Sequence, residues 1–265
     1  MEASPAQPGS LRTRVAVVVA TVALFMAIDN VRRFPGMTLL PSAVRVLVWK
    51  LVQVALCVVS VMAVHRLRPA RAVAELGLDR PVQTGLRFAL LATAPMLFVY
   101  AIMAGFAIHF SFMAILRTAL VAPLSEEVLY RGYLFGQLRR RAGLPMWLAV
   151  AVSAAPFAWG HLYQAEPHGF RVGETLGVLA VTAFGAWFFA WLFERWGWNS
   201  WIPIAMHALM NLWWELFAVD ESALGGWLAN GARLATIGIA IVLTLRHAKR
   251  QARRGDGDRA RSVAH

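Results

Sequence analysis

Apolar residues run along this chain in blocks long enough to cross a bilayer, joined by short polar stretches, where a water-soluble core would show shorter amphipathic patterns broken by polar turns. Eight blocks stand out, at residues 15–31, 43–64, 86–106, 110–137, 144–164, 173–194, 200–219 and 224–246. Most approach the ~20 residues an α-helix needs to traverse the hydrocarbon. The pattern predicts an all-α fold, a polytopic membrane bundle of about eight transmembrane helices making one membrane domain over 1–265. Residues 69–85, PARAVAELGLDRPVQTG, are too polar to span and fit a short interfacial helix and turn. No internal repeat and no pair of interrupted helices at matching positions supports a transporter.

Composition sharpens this picture. Of 265 residues, 59% are hydrophobic and 15% charged, against about 25% charged in ordinary globular domains. The net charge of +12 invites nucleic acid as a partner, but the basic residues cluster at block ends, and the tail RHAKRQARRGDGDRARSVAH has no aromatics on which bases could stack. Nucleic acid is therefore excluded and the lipid bilayer is the expected partner. A cytoplasmic N-terminus puts Arg66, Arg68, Arg71, Arg80, Arg139, Arg140, Arg141, Arg195 and the tail 246–265 on one side. Arg32, Arg33 and Arg171, with Glu166, Asp220 and Glu221, fall on the other. The positive-inside rule then makes both termini cytoplasmic, with the basic tail solvated near acidic headgroups. Arg12 and Arg14 precede a first block that reads as a retained helix, and the lone Cys57 reads as a packed core residue. Arginine greatly outnumbers lysine, present only as Lys50 and Lys249, which suggests a GC-rich bacterial genome and hence a bacterial cytoplasmic membrane.

Ionisable residues within spans are costly and usually face a cavity or one another. The fourth block carries Glu126, Glu127 and Arg131, the fifth His161, and the seventh His207 and Asn211. Adjacent helical residues point about 100° apart, so Glu126 and Glu127 cannot share one site. Glu127 and Arg131 stand at i, i+4 in the favoured acid-first order, which leaves Glu126 as the free carboxylate. His207 and Asn211, also at i, i+4, present one polar face, and Phe157 is spaced to pack beside the His161 ring. Counting helical rise places all four candidates in overlapping layers. Pro123, Pro156 and Pro203 each precede a polar position by three to five residues, and kinks there would open a wet pocket. Alternatively, Ser125 caps a helix whose first turn holds both glutamates.

EEVLYR, FAWGH and HALMN together resemble the EExxxR, FxxxH and HxxxN motifs of the CPBP family of intramembrane CAAX-type proteases and bacteriocin-processing enzymes. The likeness covers about 117–214, within an expected protease core of about 110–219; Tyr130 stands where phenylalanine is common. The resemblance implies an endopeptidase whose active site lies within the bilayer. Glu126 would activate water, His161 would hold that water, and His207 with Asn211 would stabilise the oxyanion; Glu127 and Arg131 would be structural. The substrate would be a membrane-associated peptide or protein, of CAAX-prenylated or leader-peptide type. Glutamate-activated water is the preferred chemistry, with a divalent metal such as zinc on Glu126, His161 and His207 as the alternative. Two other classes compete: a non-catalytic immunity or scaffold protein of the same fold, and a proton-coupled transporter.

Overall fold

A computed structural model describes residues 10–220 and 224–263, with no strand among them; Glu221 and residues 264–265 lie outside this set. Helix α1 (Leu11–Asp29) starts where the Ser10 side chain accepts a hydrogen bond from the Thr13 backbone. Helix α2 (Ser42–His65) ends on Arg66 in the left-handed region. The short α3 (Pro69–Glu75) supplies the expected helix of the 69–85 segment. The third block becomes two helices, α4 (Val82–Ala92) and α5 (Ala94–Met103), bent by 47°. Pro95 lies in the first turn of α5 and disfavours helical geometry in the residue before it, so a continuous helix is broken here.

Helix α6 is continuous over 112–141. It is followed by α7 (Met146–Gly160), a tight 3-10 segment (Leu162–His168), α8 (Val172–Arg195), α9 (Trp201–Leu216) and α10 (Trp227–Val263). The last helix runs beyond 246, so the basic segment continues it through Val263. Arg, Lys, Ala and Gln are good helix formers, and no breaker intervenes before Gly255.

Four helical stretches are long and apolar enough to cross a membrane: Leu11–Thr38, Val44–His65, Val172–Arg195 and Trp227–Arg253. The bent α4–α5 pair makes a fifth. The expected spans 110–137, 144–164 and 200–219 are helical but fall short of that test. Helix α6 carries too many charges, while α7 has 15 residues and α9 has 16. These three helices hold every polar candidate. The apolar helices shield them unequally, since only 17% of the α1 window is buried against 44% of the α8 window. Large side chains such as Val19, Leu51, Phe98 and Ile102 face outward, as suits lipid. The chain is an integral membrane protein.

One end of the bundle is tied by arginines. Arg14 donates to the carbonyls of Ala142 and Gly143 at 2.7 and 2.9 Å. Arg139 pairs with Glu194 at 3.0 Å, Arg140 donates to the Glu75 carbonyl and Arg141 pairs with the Glu75 carboxylate. The start of α1 and the ends of α3, α6 and α8 thus gather together. At the same end α9 packs closely on α4. A Cβ on Gly85 would lie 2.1 Å from the Trp201 carbonyl oxygen, so only glycine permits this approach. Gly185, in the middle of α8, has nothing within 4 Å of an added Cβ. Gly85→Ala is expected to cost about 1–3 kcal/mol through overpacking, whereas Gly185→Ala is expected to be neutral or to stabilise by up to about 1 kcal/mol. Thermal unfolding of the purified variants checks both signs.

Candidate active site

Helix α6 is wound as a π-helix over Leu116–Val121, Glu127–Phe135 and Gln137–Arg141, with a normal α-turn at Ala122–Glu126 between the first two. Such widened turns close i→i+5 hydrogen bonds; the Ala122 N–H, for example, reaches the Arg117 carbonyl. The next position is Pro123, which has no N–H to offer the Thr118 carbonyl. Asn211 on α9 fills that role, its amide donating to Thr118 O at 2.9 Å. One amide N–H of Asn211 is therefore committed to the backbone. The proline is absorbed in a continuous helix, so Ser125 does not begin a new one. Pro203 lies in the first turn of α9, where N–H groups have no intrahelical partner anyway, and it gives no kink. Only Pro156 sits inside an ordinary α-helix.

The two glutamates face different neighbours, as their adjacency required. Glu127 Oε1 lies 2.7 Å from His207 Nδ1 and 3.1 Å from Arg131 Nη1, with both members of the Glu127–Arg131 pair fully buried. The Arg131 guanidinium also lies 4.4 Å from the Phe157 ring centre and 5.5 Å from that of Phe189, so aromatic faces from α7 and α8 clamp it. Glu126 is not free. Lys50, from α2, places its Nζ 2.6 Å from Glu126 Oε1 in a largely buried ion pair.

His161 closes the C-terminus of α7. Its Nδ1 lies 2.7 Å from the Phe157 carbonyl oxygen, and its ring packs on Phe157 at 4.4 Å. A carbonyl only accepts, so Nδ1 carries the proton and Nε2 is left for other work. His207 has the same arrangement, its Nδ1–H donating to Glu127 and its ring stacked on Phe189 at 5.4 Å. Glu127, next to Glu126, is bonded to His207, and Tyr130, one turn on from Glu126, lies edge-on to the Phe157 ring on which His161 packs, so α7 and α9 each bring a histidine to this part of α6. Asn211 is tied to Thr118.

Sequence reasoning passed over α2. Its Lys50, Gln53 and His65 meet Glu126, Ser125 and Gln137 of α6, the latter two at 3.2 and 2.6 Å. The available signal was the lysine itself, since a cation inside an apolar run requires a partner. Tyr130 is held nearby, its hydroxyl donating to Asp29 at 3.2 Å and its ring lying edge-on to Phe25 and Phe157. A cavity of about 820 Å³ opens away from the arginine-rich end and is lined by Glu215, one helical turn beyond Asn211.

Among the described residues no three His, Cys, Asp or Glu side chains converge to hold a metal ion. In the set Glu126, His161 and His207, the Lys50 ammonium lies 2.6 Å from Glu126 Oε1, and its positive charge would repel a cation held by the same carboxylate. The residues as arranged do not fit a three-ligand zinc centre.

Residues 108–213, less than half of the chain, match the family model described as type II CAAX prenyl endopeptidase, Rce1-like. This bears out the resemblance carried by the three motifs. No curated protein and no solved structure matches the chain. Helix α2 lies outside the matched segment.

The Glu127–Arg131–His207 network makes a separable prediction. Removing one member of a buried ion pair strands the other charge, so Arg131→Met is expected to destabilise the protein by about 3–5 kcal/mol. Adding Glu127→Gln to it should recover part of that loss. Chemical unfolding of both variants reads the difference.

Proposed function

We propose that this chain is an intramembrane endopeptidase in which Glu126 activates water for attack on a peptide bond presented at the membrane. The observation that carries the reading is a buried carboxylate on the part of α6 to which α7 and α9 each bring a histidine with Nδ1 engaged. Lys50 holds one carboxylate oxygen, and the other is left to take a proton from water. The resulting hydroxide attacks the carbonyl carbon. When the C–N bond breaks, the proton on Glu126 passes to the departing amine, leaving a new carboxylate and a new amino terminus.

Each histidine has a role set by its Nδ1 bond. His161, held through Nδ1 by the Phe157 carbonyl, has Nε2 for the water that is the nucleophile. His207, oriented through Nδ1 by buried Glu127, has Nε2 for the oxyanion. Asn211 adds its second amide N–H and, through its first, fixes the π-turn that precedes Glu126. Glu127 and Arg131 position His207. The family match supports a peptidase acting on membrane-associated substrates, of prenylated or leader-peptide type. The placement of the basic residues supports both termini and the arginine-rich end inside, and the excess of arginine over lysine supports a bacterial cytoplasmic membrane.

Glu126→Gln keeps the side chain's shape and removes the base. Cleavage of membrane-associated peptides, followed as the peptide profile of wild-type and variant membranes, is expected to fall about 10²–10⁴-fold with normal expression and folding. Undiminished cleavage overturns the assignment. Intact biological function without cleavage supports a scaffold, and loss of proton-coupled uptake supports a transporter.

A further inference from the structure

At the arginine-rich end, α4, the residue after α8 and α10 border an open cavity of about 300 Å³ that the proposed chemistry does not use. Arg87, Arg246 and Arg250 line it together with the apolar side chains of Phe88, Leu91 and Leu243. Three arginines packed at this end are neutralised, Arg139 by Glu194 and both Arg140 and Arg141 by Glu75, while Arg66, Arg68 and Arg71 are exposed on the segment after α2 and do not line this cavity. Among the described residues no carboxylate pairs with Arg87, Arg246 or Arg250. Three guanidinium groups around one small space repel one another, and a bound anion relieves that repulsion. Guanidinium is also the group best matched to phosphate oxygens.

The cavity has a built wall. Trp196 donates its indole N–H to Thr244 at 2.9 Å and stacks on His247 at 4.0 Å, with Phe88 edge-on at 5.1 Å. One helical turn from Arg87 and one from Arg246 the lining turns apolar, at Leu91, which is 61% exposed, and Leu243. A ligand here must be anionic at one end and apolar along its length. We infer that the cavity binds the phosphate headgroup of an anionic phospholipid, whose acyl chain lies against Leu91 and Leu243. The site is independent of the reading of Glu126, because none of its residues touches that constellation.

The test uses the full-length protein with phosphatidylglycerol, phosphatidylcholine or inorganic phosphate as the probe. Retained lipid is counted by native mass spectrometry and stabilisation by thermal unfolding, since a ligand that binds only the folded state raises the melting temperature. The variant R87Q/R246Q/R250Q is compared with R66Q/R68Q/R71Q, which removes the same charge from exposed arginines at the same end. Affinity for phosphatidylglycerol is expected to fall about tenfold or more in the first and less than about twofold in the second. Arg250→Gln alone should give an intermediate loss. An unchanged melting temperature in phosphatidylcholine shows that the variants fold. Equal losses in both triple variants, equal binding of phosphatidylcholine, or saturation by inorganic phosphate alone would each overturn the lipid site.

Discussion

The buried pair of Glu127 and Arg131 is the fixed point of this bundle. A carboxylate removed from water needs a partner and hydrogen bonds, and it finds them in Arg131 one turn on and His207 across the interface. Arg131 in turn needs aromatic faces, which Phe157 on α7 and Phe189 on α8 provide. One ion pair on α6 therefore constrains three neighbouring helices. It also engages Nδ1 of His207 and so leaves Nε2 as the ring nitrogen outside that bond.

Around that anchor the site is completed from an unexpected direction. Residues 108–213 match the family model, yet the group bonded to Glu126 is Lys50 of α2, outside that segment. Helix α2 contributes a stripe, Lys50, Gln53 and His65, that runs against α6 for much of its length. The charged central helix is thus bordered by polar partners on one side and by the clamped arginine on the other. The more apolar helices form a sheath whose exposed faces suit lipid. The short α7 and α9 are no exception to membrane physics, because their polar residues face protein.

Much of this was legible in the sequence because charge in an apolar run is expensive and thus conspicuous. Glu127 and Arg131 at i, i+4 had to pair, Glu126 and Glu127 had to diverge, and Phe157 had to meet His161. The number of spans was less legible, since block length alone does not reveal that the helix of α7 stops at Gly160 or that Pro95 splits the third block. The π-turns could not be read at all. They depend on Asn211 arriving from another helix to satisfy the carbonyl that Pro123 leaves open. Lys50 was missed because its partner stands 76 residues away, beyond any helical periodicity.

The account rests on water being activated by Glu126 within this constellation, with no metal taking part. Its most direct test is single-turnover hydrolysis in oxygen-18 water by purified protein after exhaustive chelation. The account predicts an undiminished rate, one heavy oxygen in the new carboxylate of the product and none in Glu126. A rate that vanishes until a divalent metal is restored, or a label that appears in the Glu126 carboxylate, would contradict it.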